Sequence, residues 1–271
     1  MAQGQLLDAC FYDSIRAAAA PLNLADELPS IAGLNRLAQI QAPPVRTESG
    51  HAIRFTAQAM DPSAIGYEAQ IFATGSIPTR PNCVHDFFNA LVWLTFPRTK
   101  AAINARHIAA RDRLDGGNRG PVQDALTLFD ECGVIVVSDE PRLLELIDGF
   151  QWKELFWHQR AAVKQHMKFF LFGHGLMEQL LDPFVGLVGK ALLINVAPAC
   201  LETSTSALLQ HIDAKSRVLI GSAANLSRGR DLAPLPLLGI PGWSAENEAE
   251  KYYDNTDYFR PGRRTPPLRN S

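Results

Sequence analysis

The sequence predicts an α+β fold, predominantly α-helical with a few short strands near 51–58, 67–74 and 133–138. Three observations carry this. Most segments between Pro/Gly breaks place apolar residues at helical spacing. One stretch, "GVIVVS" at 133–138, is a continuous β-branched run of buried-strand length. The strand-like segments do not alternate regularly with helices, which argues against a doubly wound sheet.

Taken in order, residues 5–20 read as a short amphipathic helix ended by Pro21. Residues 22–50 carry Pro29, Gly33, Pro43 and Pro44 and read as loops with one short helix. "HAIRFTAQ" and "YEAQIFATG" alternate roughly and read as two strands, paired as a hairpin across "AMDPSAIG". Val84 to Phe96 forms a helix with a wide apolar face, ended by Pro97. The Ala-rich residues 98–114 form a second helix, followed by the loop "DGGNRGP". "VQDALTLFDECG" is helical, with Gly133 at its end and the strand after it. Helices are expected near 140–149, 151–172, 174–181 and 184–192, then a Leu-rich segment near 201–212 and "SRVLIGS". From Leu232 the Pro, Gly and aromatic content predicts an extended tail wrapped over the domain, with a disordered "TPPLRNS" end. The expected organisation is a single domain over 1–271, with an N-terminal extension to about 50 and the tail from about 232.

Of 271 residues, 46% are hydrophobic and 20% charged, ample for a core. Lys plus Arg is 26 and Asp plus Glu 28, so the net charge of -2 argues neither for nor against a nucleic-acid partner. Four widely spaced cysteines with no CxxC pair indicate reduced thiols and a cytoplasmic location, not a zinc ribbon or disulfide scaffold. The start lacks the basic and apolar regions of a signal peptide. The apolar stretch from Phe169 to Val196 is interrupted by His174, Glu178, Asp182, Pro183 and Lys190, which predicts a buried helix pair and no membrane span.

Chemistry concentrates in "CVHDFFNALVWLTFPRTKAAINARH". On a helix His85 and Asn89 share a face, and Asp86 neighbours Asn89. Two readings stand: acid–base or metal chemistry at a helix start, or a cap in which Asp86 complements the helix dipole. Asn104, His107 and Arg111 form one polar stripe, with Arg98 and Lys100 in the same basic stretch. That stripe is either a phosphate-facing surface with an embedded histidine or a solvated helix face. Asp124 shares a face with Thr127 and Glu131, and with Asp130 offers oxygen ligands to a divalent cation. Glu154/His158 and His174/Glu178 are i, i+4 pairs, unlike the Glu-x-x-His of di-metal bundles, and HExxH is absent. His174 lies between Gly173 and Gly175, small neighbours that permit close approach of another group, and it is a third candidate metal ligand. No GxGxxG follows a strand, and neither GxxxxGK[ST] nor GxSxG occurs, so Rossmann, P-loop and α/β-hydrolase chemistry are not expected.

The blocks "YEAQIFATGSIPTR", "HDFFNALVWLTFPRTKAAINARH", "DALTLFDECGVIVVS", "WKELFW", "FGHGLMEQLL", "PFVGLVGKALL" and "PLLGIPGW…FRPGR" resemble, in this order, a family of uncharacterised bacterial proteins catalogued as a domain of unknown function. The resemblance covers most of the chain after about residue 50 and implies a bacterial protein, with no activity to transfer. A second, partial resemblance is to HNH nucleases of the homing type, through "HDFFNALVWLTFP", "INARH", "DGGNRG" and "DALTLFDE". It implies His107 as general base and Asp124 at the metal-ligand position. Here Asn104 and His107 are separated by Ala-Arg, and helix-forming residues surround His107 where the nuclease motif has a β-hairpin.

Three functions follow as expectations. The first is a metal-dependent hydrolase of a phosphate ester or nucleic acid, with His107, His85 and Asp86 catalytic, Arg98, Lys100, Asn104 and Arg111 binding phosphate, and Asp124, Asp130 and His174 holding a divalent metal ion. The second is a non-catalytic helical scaffold, which requires an internally hydrogen-bonded polar cluster with no open pocket. The third is a small-molecule enzyme using His85 and His174 as acid–base groups, which requires one pocket lined by both.

Overall fold

The computed structural model describes residues 7–22, 27–57, 66–111, 120–222 and 224–262. It is mostly helical with two small sheets. A 3₁₀ turn, Cys10–Tyr12, leads into α1 (Asp13–Ala19). This segment is fastened to distant backbone: the Tyr12 hydroxyl donates to the Met177 carbonyl at 2.8 Å and Ser14 Oγ to that of Leu171 at 3.2 Å. Helix α2 (Ile31–Gln39) is capped by Ser30, whose Oγ accepts the Gly33 N–H. Its Asn35 pairs with both backbone groups of Phe55, at 2.8 and 2.9 Å, in β1 (Arg54–Ala57).

The segment read as a strand near 67–74 is a helix, α3 (Tyr67–Thr74). It is bounded by Gly66 at φ 80° and by Gly75 in the left-handed conformation, whose N–H returns to Ile71 O at 2.8 Å. Its short alternation of apolar and polar residues fits either period, and the two glycines decide for the helix. Among the described residues no hairpin forms with β1. The chain returns as β2 (Ser76–Thr79), parallel to β1. The expected turn at 59–66 except Gly66, the "DGGNRG" loop at 115–120 except Gly120, and the C-terminal 263–271 lie outside the described residues.

Helix α4 (Val84–Thr95) buries every residue from Phe87 to Leu94. Phe96 breaks it, and α5 (Pro97–Arg111) begins with proline where a missing N–H costs nothing. Helix α6 (Pro121–Cys132) runs directly into β3 (Gly133–Ser138). Then come α7 (Pro141–Asp148), a π-helical turn at Glu154–His158, α8 (Arg160–His166), β4 (Met167–Leu171), α9 (His174–Gln179), β5 (Val188–Asn195), α10 (Pro198–Leu201), α11 (Thr205–Gly221) and β6 (Ala233–Pro236). The main sheet has the order β4-β3-β5-β6, with β3 and β5 parallel and the outer pairs antiparallel. All of β3 is buried.

Two helices expected from the sequence are corrected. The helix read over 151–172 stops at His166, and Met167–Leu171 is β4. The helix read near 184–192 is a loop followed by β5. Short apolar runs look alike in either state. Here Gly189 sits where a Cβ would come within 2.6 Å of Val134 Cγ2, so its missing side chain lets β5 lie close against β3. Among the described residues no helix is long and apolar enough to cross a membrane.

The N-terminus of α5 is capped from α11. The first intrahelical bond, Lys100 N–H to Phe96 O, leaves the Arg98 and Thr99 amides free, and Asp213 accepts both, at 3.1 and 2.9 Å, with the Thr99 hydroxyl at 2.7 Å. Burial pushes the Asp213 carboxyl above its ordinary value although Thr99 and Arg98 oppose it. Asp213→Ala strands the Arg98 and Thr99 amides, leaves the Thr99 hydroxyl only the Asp213 carbonyl at 3.3 Å, and is expected to cost about 2–3 kcal/mol by urea unfolding. The tail is similarly pinned. Buried Asn247 donates to the Leu238 and Ile240 carbonyls, the Tyr258 hydroxyl to Leu187 O, and the Trp152 indole to Arg260 O.

Candidate metal-binding cleft

Three helix ends meet beside an open cleft of about 620 Å³. His85 lies in the first turn of α4, Glu131 in the last turn of α6, and His174 is the first residue of α9. Glycine brings the last two together. A Cβ on Gly173 would lie 2.6 Å from the Cys132 Cα, and one on Gly175 would collide with Glu131 Oε2. The two small residues flanking His174 thus let α9 press its start against the α6–β3 junction.

His174 Nε2 faces Glu131 Oε1 at 3.4 Å, and His85 Nε2 faces Glu131 Oε2 at 3.8 Å. The two rings meet edge to face, centroids 4.5 Å apart. Glu178 Oε2 lies 2.9 Å from His85 Nδ1. One ligand atom from each of His85, Glu131 and His174 lies within 4.8 Å of the other two, a set that can hold a metal ion. His174 is 5% exposed, and its Nδ1 has no hydrogen-bond partner among the described residues. Burial raises the Glu131 carboxyl, but the hydrogen bond and charge of His174, with the charge of His85, outweigh it and hold the group below its ordinary value.

Beneath the cleft lies a buried ion pair. Lys100 Nζ reaches Asp130 Oδ1 and Oδ2 at 2.6 and 2.9 Å and Asn89 Oδ1 at 2.9 Å, and it stands 5.4 Å over the Trp93 ring. Burial pushes the Asp130 carboxyl up, but the charges of Lys100, His174 and His107 and the bond from Lys100 bring it below its ordinary value. Asn89 also donates to the Tyr67 hydroxyl at 3.1 Å.

His85, Asp86, His107, Arg111, Asp130 and His174 all line the cleft. Asn104 donates to Glu68, itself a lining residue, at 2.6 Å. The Asp86 carboxylate is engaged by Arg80, through the backbone N–H at 2.6 Å and the guanidinium at 2.7 Å. Lys100 serves Asp130 and Asn89 and does not line the cleft. Arg98 lines a separate depression with Asp213, and Asp124 is exposed outside the cleft lining. Glu131 and Glu178 are the residues that sequence reasoning did not select. Glu131 was visible as one face with Thr127, which also lines the cleft. Glu178 was visible only as an i, i+4 partner of His174, whereas its observed partner is His85.

The nuclease resemblance is not shown. His107 sits inside the 15-residue helix α5, held there by the helix propensity of its Ala-rich neighbours, not on a β-hairpin.

Fold and cleft together define a class: a mostly helical α+β protein with an imidazole–carboxylate centre set between helix ends. Residues 53–263 match the family described as Protein of unknown function (DUF3025), and the chain belongs to that family. No curated protein and no solved structure matches the chain.

Proposed function

We propose that the protein is a metal-dependent hydrolase of phosphate esters, with one divalent cation on His85, Glu131 and His174. The observation that carries this reading is the approach of the three ligand atoms to within 4.8 Å of one another beside an open cleft. Two imidazoles and one carboxylate are a donor set of catalytic zinc sites, which keep a further position for water or substrate. Glu178 at His85 Nδ1 supports it too, because a carboxylate on one ring nitrogen fixes the tautomer and leaves Nε2 free as a ligand. The bound ion would supply an activated water and neutralise charge developing on the phosphoryl oxygens. His107 and Arg111 line the same cleft; His107 would accept the proton of an attacking water and Arg111 would pair with the anionic ester.

A second reading keeps the histidines and drops the metal: His85 and His174, each against its own carboxylate and with rings 4.5 Å apart, work as an acid–base pair on a small molecule. The scaffold reading is disfavoured by the open cleft and by the unpartnered His174 Nδ1. Calorimetric titration of metal-stripped protein with zinc and manganese separates these. One ion per chain is expected, with binding lost in His174→Ala and weakened about 10–100-fold in Glu178→Gln. His107→Ala should keep the ion and lose about 10²–10⁴-fold in phosphate-ester turnover. Absence of stoichiometric metal binding in the unsubstituted chain overturns the metal reading.

A further inference from the structure

A second cavity, of about 510 Å³, lies against a neighbouring face of α6. Leu128 lines it, about 100° round the helix from Thr127, which lines the metal-binding cleft. Its floor is one face of the sheet edge. Val188 and Lys190 alternate on β5, and they stand opposite Pro236 and Pro234 on the edge strand β6. The rings of Phe150, Trp152 and Tyr258 form the wall.

Two features indicate what the cavity takes. The first is charge. Lys190, Arg230 and Arg260 line it against one carboxylate, Asp257. The Arg230 guanidinium has no hydrogen bond to a described residue, though its charge acts on the neighbouring Asp231, and Arg260 commits only Nε, to the Asp257 carbonyl at 3.0 Å. The second is Phe150. It closes the C-terminus of α7 in the left-handed region, φ 56°, with Gln151 N–H returning to Leu146 O at 2.9 Å. Glycine normally fills that position because a side chain there strains the backbone. Here a phenyl ring occupies it, lines the cavity and stands edge-on to Trp152 at 5.8 Å.

We propose that this cavity binds a small organic anion with a flat apolar body: rings and prolines cover the body, and Arg230 and Arg260 on the rim hold the acidic group. A pocket of this volume, mostly apolar with a few convergent polar groups, is of the size that encloses a small-molecule ligand. The arginines supply planar donors suited to a carboxylate or sulfonate.

The test uses two fluorescent probes with similar aromatic bodies on the full chain: 8-anilinonaphthalene-1-sulfonate, which is anionic, and N-phenyl-1-naphthylamine, which is neutral. The expected result is saturable binding of one sulfonate probe per chain, at least tenfold tighter than the neutral probe. Arg230→Glu and Arg260→Glu together should weaken the sulfonate probe at least tenfold and leave the neutral probe unchanged. Both arginines are exposed, so circular dichroism and the melting temperature should stay unaltered. His174→Ala and Arg111→Glu, both at the metal-binding cleft, should leave probe binding unchanged. Equal affinity for the two probes, non-saturating binding, full binding in the arginine double variant, or loss in Arg111→Glu overturns the proposal.

Discussion

Lys100→Met is expected to lower the unfolding free energy by about 3–5 kcal/mol, because it removes one member of a buried ion pair and leaves the other uncompensated. Lys100 is 4% exposed, and its ammonium is shared between Asp130 and Asn89 beneath the cleft. Adding Asp130→Asn to the variant removes the orphaned charge and should recover about half or more of the loss, the signature of a coupled pair. The pH dependence has a defined sign. In the unsubstituted chain Asp130 is held below its ordinary value. Its contribution is therefore complete above the unfolded carboxyl value of about 3.9 and is lost as pH falls through the lower folded value. Without Lys100, burial is opposed only by the histidines, so the folded carboxyl rises above the unfolded one. The variant is then least stable above its raised value and regains stability as pH falls. Urea unfolding of both proteins at pH 7 and pH 4.5 should thus give a gap that narrows in acid. A gap independent of pH would mean that Lys100 acts through packing over Trp93 alone.

Some of this architecture is readable locally and some is not. Helix α4 announces itself because a wide apolar face over Val84 to Phe96 ends at a proline, and β3 because its β-branched run is too short for a helix. By contrast, β5 carries Lys190 through Asn195 as "KALLIN", equally good helix chemistry, and only its register against β3 decides the matter. The cap of α5 was invisible for a different reason. Asp213 stands 114 residues from Thr99, and no local pattern links them. The candidate site divides the same way. Asn104, His107 and Arg111 are a stripe by helical geometry alone, and the Gly-His-Gly sequence signals a close approach. What approaches is a tertiary fact: Glu131 comes from the end of another helix, and the His85–Glu178 contact spans 93 residues. The i, i+4 rule paired Glu178 with His174, but it says only that two residues share a helix face, not that a nearer partner is absent.

If the proposed metal site stands, Gly175→Ala is expected to weaken divalent-metal binding by about 10–100-fold while leaving the fold nearly as stable as before. The two neighbouring glycines make the argument sharp. At Gly173 an added methyl meets backbone, including the Cys132 Cα at 2.6 Å, so the junction of α6, β3 and α9 must open and stability falls. At Gly175 the methyl meets the Glu131 carboxylate oxygen, the far end of a flexible side chain, while the Glu131 carbonyl oxygen at 3.2 Å needs only a slight adjustment. The least costly response is rotation of the Glu131 side chain away from His85 and His174, which dismantles the three-ligand set without unfolding anything. Titration calorimetry with zinc, run beside urea unfolding of the metal-free protein, reads the two quantities separately. Gly173→Ala should lose stability first, and Gly175→Ala should lose metal first. If Gly175→Ala binds zinc as the unsubstituted chain does, Glu131 is not a ligand, and the two histidines with Glu178 must carry whatever chemistry the cleft performs.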